Sequence, residues 1–438
     1  MINKMELNKI FYVFVVLLCV SIISSCHATQ NEEAKQRWNY VNVRRNAHMF
    51  WWLYYAGEAN KPLILWLQGG PGGSSTGFGN FMEIGPKDVN LQPRNTTWLK
   101  LANLLFIDNP VGTGFSYVTS QDAYSTSVEQ IALDLVQVMK SFLKEVKEFK
   151  SIPFYIFSES YGGKMTAAFS KELYKAIKAS EIECNFKGFA MGDSWISPLD
   201  SVLSWAPYLY STSLVDILGY QKVNNKALDI KSLLSDGKFK EATNQWSELE
   251  SIIESETAGV DFYNILRFDS QSNSLHNSKS EIDYLYKRHV GRLNNDLLSN
   301  LMNTKVRRML RIIPENVTWG GQSGNVFKYQ SEEFMKPVVS IVDDILKTTP
   351  LKVVVYSGQL DLICDTLGTE QWVGSLTWPH MKDYFMAERK AIRNKMGIPE
   401  LFYKTYKQFQ FYWILKAGHM VPSDAGDAAL KMVANVLI

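Results

Sequence analysis

An α/β architecture, a mostly parallel sheet covered by helices on both faces, is the fold class predicted for this 438-residue chain. Two observations predict it. From residue 48 onward, short apolar runs alternate with amphipathic stretches, the rhythm of strand–helix units. One of those runs, Phe154-Tyr155-Ile156-Phe157, breaks directly into Ser158-Glu159-Ser160-Tyr161-Gly162-Gly163 and then into a helical pattern. Strand, small-residue turn and helix in that order lift one serine hydroxyl above a sheet edge.

The expected strands, in order, are Met49 to Tyr55, Leu63 to Leu67, Leu104 to Ile107, Phe154 to Phe157, Phe186 to Met191, Lys352 to Tyr356 and Phe409 to Leu415. Each is a short apolar run of strand length. Ser127 to Val146 has helical spacing (Val128, Ile131, Leu135, Val138, Phe142), and so does Thr166 to Ile177. Between about 200 and 340 the alternation stops and Lys, Glu, Asn and Ser become frequent, with helical pieces at Asn225 to Ile253 and Ile282 to Ile312. A structureless loop of that length does not belong in a compact domain. The expected organisation is a signal over 1–28, a core over 29–199 and 341–438, and a mainly helical cap insertion over 200–340. The alternative for the last stretch is a separate domain, which the return of strand pattern at Lys352 disfavours.

Composition excludes several classes. Hydrophobic residues make up 46% and charged residues 21%, enough for a sizeable core. The net charge of +2 gives no electrostatic footprint for nucleic acid or an anionic membrane, and neither partner is expected. Lys4 and Lys9 precede the apolar stretch Ile10 to Ile23 and the small residues Ser24-Ser25-Cys26-His27-Ala28, the pattern of an export signal cleaved after Ala28. The stretch is shorter than the ~20 residues that span a bilayer, so no stable membrane insertion is expected. In a bacterium, Cys26 would be an alternative lipidation site. Export makes Asn95-Thr96-Thr97 and Asn316-Val317-Thr318 glycosylation sequons. Loss of the signal leaves only Cys184 and Cys364. They stand at opposite ends of their strands, too far apart for a disulfide, and two free thiols are expected. Cys364 falls beside the candidate site.

Ser160 is the candidate nucleophile, and the N–H of Tyr161 after it is free to stabilise an oxyanion. An activated serine needs a base, and the base an orienting acid. Of five histidines beyond the signal, His48 opens a strand, while His276 and His289 belong to the polar insertion. His419 sits in a loop, Ala417-Gly418-His419-Met420-Val421-Pro422, directly after a strand, and His380 is its competitor. Tyr356-Ser357-Gly358-Gln359-Leu360-Asp361 ends the preceding strand with a turn that offers Asp361 as the acid. Ser160, Asp361 and His419 follow one another in the chain order of α/β-hydrolase enzymes, which sharpens the fold expectation to an α/β-hydrolase fold with a helical cap. Gly69-Gly70-Pro71-Gly72-Gly73-Ser74-Ser75 supplies a glycine-rich loop for a second oxyanion donor. It lacks the Gly-Lys-Ser/Thr ending of a phosphate loop. There is no metal-ligand spacing and no nucleotide fingerprint, so no metal and no cofactor is expected.

Six blocks carry a family resemblance: Leu65 to Ser75, Asp108-Asn109-Pro110-Val111-Gly112-Thr113-Gly114-Phe115-Ser116-Tyr117, Ser158 to Lys164, Gly192-Asp193-Ser194-Trp195-Ile196-Ser197-Pro198, Gly358 to Asp361 and Gly418 to Pro422. With them the chain resembles the serine carboxypeptidases of peptidase family S10 from about residue 38 to the C-terminus. The resemblance implies Ser160 as nucleophile, His419 as base and then acid, Asp361 as orienting carboxylate, and Gly70 and Tyr161 as oxyanion N–H donors. It implies Gln68, Glu83 and Glu159 as the group that binds the free carboxylate of a peptide substrate, with the two acids sharing a proton. It also implies a secreted or lysosomal enzyme favoured at acid pH. The chain departs from the commoner family pattern at Ser158, Gln68 and Gly73, the last removing a family disulfide. Two other readings stay open on sequence: an acyltransferase working through the same acyl-enzyme, and a secreted binding protein without turnover. Oligomeric state is not legible.

Overall fold

Eleven strands build the central sheet of the computed structural model, which describes residues 34–58, 60–268, 278 and 280–438. The export signal over 1–28 and His276 lie outside the described residues. In chain order the strands are β1 (Gln36–Arg44), β2 (Ala47–Tyr54), β3 (Leu63–Leu67), β4 (Asn103–Ile107), β5 (Tyr117–Val118), β6 (Phe154–Glu159), β7 (Phe186–Gly192), β8 (Lys352–Gly358), β9 (Lys390–Arg393), β10 (Pro399–Tyr406) and β11 (Phe409–Ile414). Their spatial order is β1-β2-β4-β3-β6-β7-β8-β11-β10-β9, with β5 against β2. The stretch from β4 through β3, β6, β7 and β8 to β11 is parallel, and antiparallel pairs close both edges. The central strands are buried on both faces, which is why they read as unbroken apolar runs.

The strands absent from the sequence reading lie at or near the edges. β1 (Gln-Arg-Trp-Asn-Tyr-Val-Asn-Val-Arg) and β10 (Pro-Glu-Leu-Phe-Tyr-Lys-Thr-Tyr) are largely half-exposed, so polar side chains interrupt their apolar pattern. Helix α1 (Val128–Glu145) matches its periodicity, with the Ser127 hydroxyl accepting the Gln130 N–H as its N-cap. Helix α2 (Tyr161–Lys178) starts five residues earlier than the spacing predicts, because its first turn is the small-residue turn itself. Between β7 and β8 come α3 (Pro198–Ser211), α4 (Ile217–Ser235), α5 (Phe239–Glu256), α6 (Glu281–His289) and α7 (Val339–Thr348), with shorter pieces among them. The expected helix over Asn225 to Ile253 is thus two helices, parted at Gly237, whose φ of +73° is a left-handed turn that glycine adopts without strain. The expected helix over Ile282 to Ile312 is likewise broken into short turns. Residues 36–438 form one compact unit. Among the described residues no helix is long and apolar enough to cross a membrane.

The parallel register positions the chemistry. Glu159 of β6 lies opposite Gly192 of β7, Gly192 opposite Tyr356 of β8, and Gly358 opposite Ile414 of β11. The chain therefore leaves all four strands at one rim, and the segments beginning at Ser160, Asp193, Gln359 and Leu415 are neighbours there. A second device ties the glycine-rich loop to this rim. Buried Asp108, just after β4, accepts the Ser74 hydroxyl (2.6 Å), the Thr76 hydroxyl (2.7 Å) and N–H (3.0 Å), and the Phe115 N–H (2.8 Å). The Trp319 indole N–H also reaches the Ser74 hydroxyl, at 3.0 Å, from the stretch between β7 and β8. Asp108→Ala strands these donors and is expected to cost about 3–5 kcal/mol in urea unfolding, whereas Asp108→Asn, which keeps one acceptor, costs less. Equal, small losses in both variants would show that the hub is not structural.

Candidate active site

Ser160 stands between the last residue of β6 and the first of α2 with φ +61° and ψ −130°, a backbone state that costs an L-residue of order 1–3 kcal/mol. The surroundings hold it there. Its N–H donates to the Gly192 carbonyl at 3.0 Å, and its own carbonyl accepts from Gly163 (3.0 Å) and Trp195 (3.1 Å). A Cβ on Gly162 would lie 2.4 Å from the Leu67 carbonyl, so only glycine lets α2 start against the end of β3. Ser158, where the usual turn has glycine, is fully buried and donates its hydroxyl to the Ala190 carbonyl at 3.3 Å. The departure from Gly-x-Ser-x-Gly is therefore accommodated without a clash.

His419 and Asp361 meet. The imidazole Nδ1 lies 2.9 Å from Asp361 Oδ2, with both side chains almost fully buried. A carboxylate there fixes the Nδ1–H tautomer, and Nε2 has no partner among the described residues. The two loops that carry these side chains are stitched together by one segment of the stretch between β7 and β8. The Phe262 carbonyl accepts the N–H groups of Leu362 (3.1 Å) and Ile363 (3.0 Å), while the Tyr263 carbonyl accepts the His419 N–H (2.8 Å). The Tyr263 ring meets the His419 ring edge-on, with centroids 4.8 Å apart. Its hydroxyl is bonded to His289 Nδ1 at 2.8 Å, and His289 Nε2 to Glu250 at 3.0 Å. Burial holds the His289 imidazole below its usual pKa.

The other histidines are engaged elsewhere. His380 contacts Lys407, Trp378 and Asp383, and His48 stacks on Tyr117. Tyr263 was not singled out from sequence, because its contact with His419 joins residues 156 positions apart that share no motif.

The glycine-rich loop closes on the turn. A Cβ at Gly69 would sit 2.6 Å from Ser160 Cβ and 2.8 Å from the Tyr161 nitrogen, so the loop backbone lies against the nucleophile candidate. The next residue, Gly70, has φ +115°. Tyr161 opens α2, where an N–H has no intrahelical acceptor and the helix dipole favours negative charge. Its phenol is occupied by Gln330 Oε1 at 2.9 Å. One turn on, the buried Lys164 ammonium donates to the carbonyls of Glu333, Phe334 and Lys336 and anchors that segment to α2.

Gln68, Glu83 and Glu159 form a second buried group. The Gln68 amide donates to Glu159 Oε1 at 2.7 Å and accepts the Trp66 indole N–H at 2.8 Å, which fixes its orientation. Glu83 lies on a helical segment, Ser75–Ile84, wound with bonds spanning five residues, such as Gly79 N–H to Ser74. Both Glu83 carboxyl oxygens and Glu159 Oε2 are buried with no donor among the described residues. Burial pushes Glu83 up to about 8, and burial together with the neighbouring Glu83 charge pushes Glu159 well above the carboxylate range. Each of the two carboxyls is therefore harder to ionise than an exposed one.

Both cysteines are free. Cys364 is buried, and burial raises its thiol well above the usual pKa, so it is a poor target for thiol reagents. With Asp361 and His419 it forms a set of possible metal-ligand atoms within 4.8 Å of one another. The hydrogen bond between the acid and the imidazole already occupies two of the three. Asn95 and Asn316, in the two sequons, are both exposed.

Two Tyr263 variants test its contact with His419. Tyr263→Phe leaves the His289 nitrogen without its partner and is expected to lower stability by about 1–3 kcal/mol. Tyr263→Ala also removes the aromatic contact, worth about 0.5–1.5 kcal/mol, and should slow acylation of Ser160 by a fluorophosphonate about three- to tenfold. Unchanged labelling in Tyr263→Ala would remove Tyr263 from the site.

The serine carboxypeptidase family model matches residues 27–438. Retinoid-inducible serine carboxypeptidase from Homo sapiens is 53% identical over 416 residues, covering 92% of each chain. Serine carboxypeptidase-like 51 from Arabidopsis thaliana is 39% identical and covers 98% of each chain. A prohormone-processing carboxypeptidase from Saccharomyces cerevisiae superposes with a TM-score of 0.79 over 94% of this chain and 93% of that one, at 21% identity, which shows the shared α/β-hydrolase fold. This chain belongs to the serine carboxypeptidase family, peptidase S10, whose members hydrolyse the C-terminal bond of peptides.

Proposed function

We propose that this enzyme shortens peptides from the C-terminus through an acyl-enzyme on Ser160, in the secretory or lysosomal route. The observation that carries the proposal is the buried Asp361–His419 bond with Nε2 left unpartnered, at the rim where the Ser160 turn also emerges. In this reading His419 Nε2 takes the Ser160 proton as the hydroxyl attacks the last peptide carbonyl. The Gly70 and Tyr161 N–H groups hold the oxyanion, and the same proton is passed to the leaving amine. Water then attacks the acyl-enzyme with His419 again as base, releasing the shortened peptide. Asp361 keeps the imidazole in its tautomer and stabilises the imidazolium.

Gln68, Glu83 and Glu159 are proposed to receive the substrate's free carboxylate. A protonated carboxyl pair can donate to that anion, whereas an ionised pair repels it. Binding is therefore tightest on the acid side and weakens as the shared protons are lost. This agrees with an enzyme acting in an acidic compartment, and the exposed Asn95 and Asn316 suit glycosylation on that route.

A fluorophosphonate is expected to give one covalent adduct per folded chain, absent in Ser160→Ala. A labelled Ser160→Ala, or a folded but unlabelled wild type, would contradict the mechanism. KM for a peptide is expected to be low in acid and to rise through about pH 8, the value to which burial pushes Glu83, by ~tenfold per unit beyond it. A KM that stays flat from about pH 4 to about pH 9 rules out the shared-proton site.

A further inference from the structure

Asp193 has no role in the reaction as derived above, yet it stands between the nucleophile turn and the acid. It follows β7 directly, is fully buried, and has φ +42°, a left-handed state uncommon outside glycine though one that aspartate enters more readily than most, and its neighbours constrain it there. The constraint is visible. Its N–H donates to the Tyr356 carbonyl at 2.9 Å, and its Oδ1 accepts the Gly358 N–H at 2.6 Å, three residues before Asp361. The remaining oxygen, Oδ2, is buried with no donor among the described residues, and so is Asp361 Oδ1. The two residues meet at Gly358, whose N–H is held by Asp193 and whose carbonyl accepts the Asp361 N–H at 3.2 Å. Two such oxygens, each without a donor, are costly apart and repulsive together unless one carries a proton.

We propose that Asp193 is a positioning residue: a neutral carboxylic acid whose Oδ2–H donates to Asp361 Oδ1 and so aims Asp361 Oδ2 at His419. The proposal rests on the reading of Asp361 as the orienting acid. The pair carries one negative charge and one proton. The charge belongs on Asp361, where the imidazole Nδ1–H and, during turnover, the imidazolium stabilise it. The ionisable groups around Asp193 point the same way. Asp361 faces it from the loop after β8, Glu83 from the Ser75–Ile84 segment and Glu159 from the end of β6, with the Cys364 thiol and Tyr356 phenol beside them. Burial and the Asp361 charge push the Asp193 carboxyl well above its ordinary value.

Substitutions that differ only in the donor test this. Asp193→Asn keeps an N–H for Asp361 Oδ1 and a carbonyl for the Gly358 N–H, whereas Asp193→Ala keeps neither. With a peptide substrate, kcat of Asp193→Asn is expected within about threefold of wild type, while that of Asp193→Ala falls about ten- to a hundredfold with KM within about twofold. An Asn variant as slow as the Ala variant, or an Ala variant as fast as wild type, overturns the proposal. Infrared difference spectroscopy of folded wild type against Asp193→Asn at neutral pH needs no turnover and remains decisive if Asp193→Ala fails to fold. The C=O stretch of a protonated carboxylic acid is expected to disappear in the Asn variant, and loss of an ionised carboxylate band instead overturns the proposal. A wild type that shows the acid band but does not cleave peptides would count against the proposed function and leave the shared proton standing.

Discussion

The hydrogen bond between Asp361 Oδ2 and His419 Nδ1 is the interaction on which the rest of this site depends. Both partners are out of water, so the pair cannot borrow orientation from solvent and must be held by its neighbours. The fold supplies those neighbours from several directions. The parallel register of β6, β7, β8 and β11 brings four strand ends to one rim. The Phe262 and Tyr263 carbonyls tie the acid loop to the base loop. The segment that makes those ties lies between β7 and β8, far in sequence from both loops, so the helical stretch helps to hold the two loops against each other.

A second constraint shapes the chemistry. Four carboxyls, Glu83, Glu159, Asp193 and Asp361, are gathered in one dry region, and burial makes Glu83, Glu159 and Asp193 costly to ionise. Pairing is the inexpensive solution: each pair keeps a proton and satisfies oxygens that would otherwise be stranded. In the proposed function one pair faces the substrate and the other stands behind the imidazole, so the same physics serves binding at one end of the site and orientation at the other.

Much of this was legible in the chain. The central strands and the order Ser160, Asp361, His419 were readable because each element has a local signature: an unbroken apolar run, a small-residue turn, or a polar residue directly after a strand. The edge strands β1 and β10 were not, since half-exposed strands carry polar residues that blur the alternation. The helices between β7 and β8 were seen only as helical material. Asp193 and Tyr263 went unassigned because their importance lies in contacts with residues more than a hundred positions away. For Asp193 a signal did exist: an acidic residue directly after an apolar strand, at the same rim as the serine, is poorly placed unless something shares its charge.

The central claim is that Asp361 fixes the Nδ1–H tautomer of His419, with Nε2 free to accept the Ser160 proton. Nitrogen-15 NMR of histidine-labelled protein near neutral pH measures it directly, with Asp361→Asn assigning the resonance. The account predicts a protonated Nδ1, a far-downfield proton lost in Asp361→Asn, and an unprotonated Nε2. A His419 that carries its proton on Nε2, or whose Nδ1 resonance ignores the Asp361 substitution, would contradict it.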